Sequence, residues 1–241
     1  SVLGSPVIFN GKVYVGASDS CFRALDLKSG KTVWTYSDVQ GFIECRAFVD
    51  KDQVVFGSWG NRLYSLDPQT RALQWEWRCE KPSRMYSPAA VWPVKACGKI
   101  FIAVPDRRLY ALDAATGKEL RHYERAAREA VGVSPDGKKV YCKSMWHTIT
   151  SVDAASLDVD WCTETGAGYE ISPTSIVRIG NEVIMPTDKG NIIGFDAEDG
   201  HRLWARKVSI ALVNPMEVWS EGGATYILAS AMDGTVTLLR K

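Results

Sequence analysis

Short runs of alternating apolar and polar positions recur along this chain, each bounded by polar turn residues: Lys12–Gly16, Gln53–Phe56, Lys99–Ala103, Lys139–Cys142 and Glu182–Met185. Alternation with a period of two, carried by β-branched and aromatic residues, predicts strands. A polar hairpin follows each run, at 18–20, 59–61, 106–108, 146–148 and 188–191, and a second apolar run then closes on an aspartate. Each copy therefore sets two strands and the turn between them.

The closing aspartates are Asp26, Asp67, Asp113, Asp153 and Asp196, spaced 41, 46, 40 and 43 residues apart. Spacing of that length predicts a propeller, a solenoid or an array. Eight residues beyond the aspartate stand Trp34, Trp75, Trp161 and Trp204, while the third copy has Arg121 there, followed by His122 and Tyr123. Gly30, Gly117 and Gly200 lie in the short polar turns between. In such a turn an aspartate can hydrogen-bond its own backbone and a glycine accepts positive φ. The five aspartates are read as structural, because a repeat spreads them around a perimeter, whereas metal binding or acid catalysis would need them to converge.

Ser5–Pro6, Ser87–Pro88 and Ser172–Pro173 mark a further strand upstream, and the tryptophan sits on a fourth. Four strands in about 40 residues make a propeller blade. The predicted fold class is all-β, a β-propeller of about six four-stranded blades in one domain, with blades near 1–38, 39–80, 81–125, 126–165, 166–207 and 208–241. The last blade is incomplete: Tyr226–Gly234 supply a hairpin and Thr235–Leu239 a third strand, with no tryptophan strand after it.

With 241 residues, 46% of them hydrophobic, the chain can bury a substantial core. Formal charge is +1, from 29 basic and 28 acidic residues. Nucleic-acid binding would call for a clustered basic excess, and it is not expected. No apolar run reaches the length of a membrane-spanning helix, so direct membrane insertion is not expected either. His122, His147 and His201 fall in different repeats, without HisGluXaaXaaHis or CysXaaXaaCys spacing, and no metal site is predicted. Cys21, Cys45, Cys79, Cys97, Cys142 and Cys162 follow no disulfide framework. Cys142 and Cys162 lie on the second and fourth strands of one blade, with a strand between, and should not bond. Cys21 and Cys45 lie at the same end of adjacent blades, which leaves a bridge open there.

The stretch Lys12–Asp19 leading into Ala24–Trp34 resembles the pyrroloquinoline-quinone-type propeller repeat, whose phrase is AlaLeuAsp, two residues, ThrGlyLys, two residues, Trp. The resemblance spans nearly the whole chain, with the third, fourth and sixth copies departing most. Ser134–Tyr141 resembles instead the hairpin of a different propeller repeat. The resemblance implies that Trp34, Trp75, Trp161 and Trp204 dock against the neighbouring blade, and that Arg121 weakens one junction. It implies a noncatalytic binding or scaffold propeller that recognises a protein partner or a small polar ligand. An accessory or sensor domain of a larger enzyme or receptor is the alternative. Quinoprotein dehydrogenases of this type are larger, with eight blades, a calcium site and, in several, adjacent cysteines. This chain has no adjacent cysteine pair. No cofactor is expected, and pyrroloquinoline quinone is disfavoured. Resemblance points to an extracytoplasmic compartment, while cysteine usage leaves the cytoplasm open.

In a propeller, the hairpins between second and third strands and the connectors into each inner strand surround the channel mouth, where binding groups gather. That geometry nominates Glu44, Arg46, Arg84, Tyr86, Arg128, Glu129, Tyr169, Glu170 and Asn214. Trp59 and Trp146 fall at hairpin tips, where aromatic side chains suggest a partner surface. Trp77, Trp92 and Trp219 are expected in strands of the core.

Overall fold

The computed structural model describes residues 1–2, 4–79, 92–104, 108–124, 127–170 and 176–241, and for 127–130 the backbone alone. These residues form two compact units, Ser1–Glu124 and Arg125–Lys241. In the first unit, sheet one comprises β1 (Val7–Phe9), β2 (Lys12–Gly16), β3 (Phe22–Asp26) and β4 (Thr32–Tyr36); sheet two β5 (Phe48–Val49), β6 (Val54–Ser58), β7 (Arg62–Leu66) and β8 (Leu73–Arg78); sheet three β9 (Val94–Ala96), β10 (Lys99–Val104), β11 (Arg108–Asp113) and β12 (Glu119–Glu124). In the second, sheet four comprises β13 (Ala127–Val133), β14 (Lys139–Ser144), β15 (Trp146–Asp153) and β16 (Val159–Tyr169); sheet five β17 (Val177–Ile179), β18 (Glu182–Pro186), β19 (Asn191–Asp196) and β20 (Arg202–Lys207); sheet six β21 (Glu217–Glu221), β22 (Ala224–Ser230) and β23 (Val236–Arg240). Strands pair antiparallel in chain order within every sheet. Five sheets thus have four strands, and the sixth has three.

The repeat is enforced by its third turn. The backbone N–H of each aspartate donates to the carbonyl five residues on, and its carbonyl accepts from the residue four on, as in the Asp26–Lys31 and Gly30–Asp26 bonds. The Oδ1 atoms of Asp26, Asp67, Asp113, Asp153 and Asp196 accept backbone N–H groups two or three residues ahead, at 2.7–3.4 Å. The Ser29 and Thr116 hydroxyls, donating to Asp26 and Asp113, and then the backbone bonds hold those two carboxyls below the usual range, and the backbone bonds do the same for Asp67. The Asp153 carboxyl falls to about 2, through the Ser156 backbone N–H and then the Lys139 ammonium. Position four of the turn is left-handed in all five copies: Gly30, Arg71, Gly117, Leu157 and Gly200. One residue is then bulged out of every fourth strand at the same register, between Ser65 and Leu66 in sheet two for example. The bulge adds local twist just before the tryptophan.

Trp34, Trp75 and Trp161 each reach the next sheet. The Trp34 indole N–H donates to the Pro68 carbonyl (3.1 Å), that of Trp75 to Ala114 (2.9 Å), and that of Trp161 to Ala197 (3.1 Å). In each case the acceptor is the residue after the next aspartate. Around these bonds sheets one and two share one apolar cluster, sheets two and three another, four and five a third, and five and six a fourth. Trp204 differs: its indole donates to Glu182 of its own sheet (2.8 Å) and lies under the Lys241 ammonium.

Several expectations are corrected. Sheet four runs to Tyr169, past the expected boundary at 165, because Trp146 pairs with Tyr169 and lengthens the β15–β16 ribbon. Trp219 is not a core residue; it stacks on Tyr226 (5.3 Å) on the uncovered face of sheet six. Trp92 lies outside the strands, whereas Trp77 is buried. None of the six cysteines is in a disulfide, and Cys21 makes no bridge to Cys45. The Cys45 sulfur instead accepts the Gly57 N–H at 3.3 Å, and burial pushes its thiol up to about 12.

Candidate functional site

In the first unit the connector 39–44 lies on the hairpin that joins β6 to β7. Ser58 Oγ donates to the Gln40 carbonyl (2.7 Å), and the Trp59 N–H donates to the Phe42 carbonyl (2.9 Å). The approach requires glycine: a Cβ on Gly60 would stand 2.1 Å from the Gln40 carbonyl oxygen, and one on Gly41 2.5 Å from the Gly60 nitrogen. This backbone contact presents Phe42 and Trp59 together, each about half exposed. The Trp59 indole N–H donates to Glu44 Oε2 at 2.9 Å, which fixes the ring and leaves its face free. Arg46 is exposed beyond. The result is an aromatic platform with one half-buried carboxylate.

In the second unit the lengthened β15–β16 ribbon does the same work differently. Trp146 and Tyr169 face one another across the strands, ring centroids 4.9 Å apart, and both stay about half exposed. Left-handed His147 turns the chain at this tip, and Ser144 Oγ accepts the Trp146 and Thr148 N–H groups at 3.1 and 3.0 Å. Beneath it Glu170 is buried, although a place at the solvated channel mouth was expected for it. Its Oε2 accepts Lys143 Nζ at 3.0 Å and its Oε1 accepts the Asp188 N–H at 3.2 Å. Burial raises the Glu170 carboxyl to about 7 against the opposing pull of Lys143. Glu170 therefore anchors the hairpin 187–190 and is not free to meet a ligand. Asn214 is half-buried and bound to Ser230 by its backbone N–H (2.8 Å) and its amide (3.1 Å).

Of the nominated residues, Glu44 and Trp59 come together in the first unit, with Arg46 exposed two residues beyond Glu44, and Trp146 with Tyr169 in the second. Arg84 and Tyr86 lie outside the described residues, as do the side chains of Arg128 and Glu129. Phe42 and Lys143 were not nominated. The Gly41–Phe42 pair was the available signal for the first; nothing local marks the second. Asp196, Asp199 and His201 bring one donor atom each within 4.8 Å, but Asp196 and Asp199 already accept N–H groups of their own turn.

The chain matches the family model described as outer membrane protein assembly factor BamB over residues 1–87 and 77–215. It is similar to that factor from Nitrosomonas eutropha, 25% identical over 86% of this chain and 52% of the relative, so it spans about half the relative's length. It is also similar to a quinohemoprotein alcohol dehydrogenase of Comamonas testosteroni, 31% identical over 50% of this chain and 12% of the enzyme. Among solved structures, BamB from Moraxella catarrhalis superposes with a TM-score of 0.74 at 18% identity, over 99% of this chain and 73% of that one, which places the fold in the β-propeller class. On the extent of the family match, the chain belongs to the BamB-type family of pyrroloquinoline-quinone-like propeller repeats.

Proposed function

We propose that this protein is a noncatalytic propeller scaffold that holds protein segments in an extracytoplasmic compartment, as a component of outer-membrane protein assembly. The observation that carries the reading is the pair of aromatic platforms at hairpin tips, Phe42 with Trp59 and Trp146 with Tyr169. Exposed tryptophan and tyrosine are the side chains that anchor partners, since each offers a large rigid apolar area with a polar handle. Glu44 and Arg46 add one charge of each sign at the rim, which suits an extended polypeptide better than an anion or a nucleic acid.

The test is capture of an immobilised, denatured outer-membrane β-barrel protein. Trp59→Ala combined with Trp146→Ala is expected to weaken capture by tenfold or more, on the scale of two lost anchors at about 1–2 kcal/mol each. The melting temperature should stay within a few degrees, because both rings are half exposed. Equal capture by variant and parent removes the platforms from the reading.

A further inference from the structure

Among the described residues, two indole N–H groups donate to a glutamate where Trp34, Trp75 and Trp161 donate to backbone carbonyls. Trp204 donates to Glu182 Oε2 at 2.8 Å, and Trp59 donates to Glu44 Oε2 at 2.9 Å. Around Trp204 a cation joins the pair. The Lys241 ammonium lies over the indole, 4.7 Å from the ring centroid, and forms an ion pair with the same Glu182 oxygen. One positive charge thereby meets both the negative face of the ring and the carboxylate beside it.

Trp59 and Glu44 repeat the indole and the carboxylate without the cation. Among the described residues Glu44 has no ion pair, its Oε1 accepts no hydrogen bond, and no cation lies over the Trp59 ring. Arg46, two residues on, is exposed and outside ion-pair distance of Glu44. Elsewhere the chain neutralises a buried glutamate itself, as Lys143 does for Glu170.

The carboxylate is also fixed in advance. Ile43 and Cys45 on either side of it are sealed, the first bonded to the Ala17 carbonyl and the second accepting the Gly57 N–H. Trp59 is 42% and Phe42 51% exposed, so the tip offers aromatic surface next to the charge. A preset carboxylate without a counter-charge, flanked by apolar rings, is complementary to a cation on an apolar stem. An acidic segment would meet repulsion here, and a wholly apolar one would bury the carboxylate unpaired.

We propose that the tip formed by Trp59 and Glu44 docks a basic side chain, a lysine or arginine of an extended polypeptide, in the place that Lys241 takes at Trp204 and Glu182. The inference rests on the scaffold reading and adds to it the chemistry of the partner. Binding costs little ordering on this side, because the indole and the carboxylate already hold one another.

Heteronuclear NMR of the nitrogen-labelled chain tests it, with the Trp59 indole N–H resonance as reporter, assigned by its loss in Trp59→Phe. A glycine pentapeptide with one central lysine should shift that resonance saturably in the millimolar range, and its arginine counterpart should do the same. The peptide with Nε-acetyl-lysine keeps the stem and loses the charge, and should shift it little. Glu44→Gln keeps an oxygen for the indole N–H but removes the charge, so its affinity for the lysine peptide should fall about fivefold. Equal shifts by the charged and acetylated peptides, no shift by either cationic peptide, or equal affinity in Glu44→Gln and parent would each overturn the proposal. The titration uses no barrel protein. If the double tryptophan variant loses capture while the lysine peptide leaves the Trp59 resonance unmoved, the scaffold reading stands and this inference falls; if the peptide binds as expected while capture is unchanged, the scaffold reading is the one that fails.

Discussion

Lys143 and Glu170 form an ion pair closed off from solvent, Nζ to Oε2 3.0 Å, with side chains 2% and 3% exposed. A lysine in strand β14 is thereby tied to the end of ribbon β15–β16, and through Glu170 Oε1 to the hairpin of sheet five.

The pair sets a pH dependence whose sign follows from burial. The Glu170 carboxyl titrates near 7 in the folded chain against 4.5 when unperturbed, so the folded state holds its proton more tightly. Its contribution to stability is full below pH 4.5 and is lost as pH rises towards 7. Urea unfolding at pH 5 and pH 8 should show the parent losing stability across that interval. Glu170→Gln should flatten the change. Lys143→Met should destabilise by about 3–5 kcal/mol at pH 8, where it strands a buried carboxylate, and by less at pH 5, where the carboxyl takes a proton.

The tryptophan clamp predicts unequal costs at glycines that look alike in sequence. Gly30 and Gly200 share positive φ, so alanine costs about 1 kcal/mol at either from backbone strain alone. At Gly200 the added methyl also meets the Trp161 ring at 2.4 Å, and overpacking adds about 1–3 kcal/mol. Gly200→Ala should therefore lower the urea midpoint clearly more than Gly30→Ala. Trp161→Phe, which strands the Ala197 carbonyl, should cost about 1–3 kcal/mol by the same measure.

Thiol accessibility follows the same burial. Cys97 and Cys162 are exposed, whereas Cys45, Cys79 and Cys142 are buried. Ellman's reagent on the native chain should react promptly at the two exposed positions, and at the buried three only after denaturant is added. Prompt labelling of Cys45 would contradict its place beneath Gly57.

What the sequence announces here is what a few adjacent residues decide. The aspartate turns need only a carboxylate, a short loop and a residue that tolerates positive φ, all within six positions, so their chemistry is written locally. The destination of each indole is not, since the Pro68 carbonyl lies 34 residues from Trp34 and is reached only once two sheets pack. The same distance in sequence hides the platform over Glu170. A lysine following Lys139–Cys142 looks like the solvated end of a strand, and the carboxylate that neutralises it is 27 residues away. Trp219 misleads for the converse reason, because strand alternation marks a face as apolar without saying whether anything covers it.

Leu157 offers the last prediction, because it occupies with φ 67° the place that glycine holds in three of the other four turns. A branched side chain in the left-handed region costs roughly 1–2 kcal/mol, and glycine gives back about 0.5–1 kcal/mol of this through its freer unfolded chain. The Leu157 N–H to Asp153 carbonyl bond at 2.9 Å and the two bonds to Asp153 Oδ1 are backbone-borne and survive the change. Leu157→Gly should therefore stabilise the chain by about 0.5 kcal/mol in urea unfolding. Leu157→Ala, which keeps the Cβ and its strain, should give no such gain. If glycine destabilises instead, packing by the leucine side chain outweighs the strain, and the turn in sheet four is held by more than its backbone.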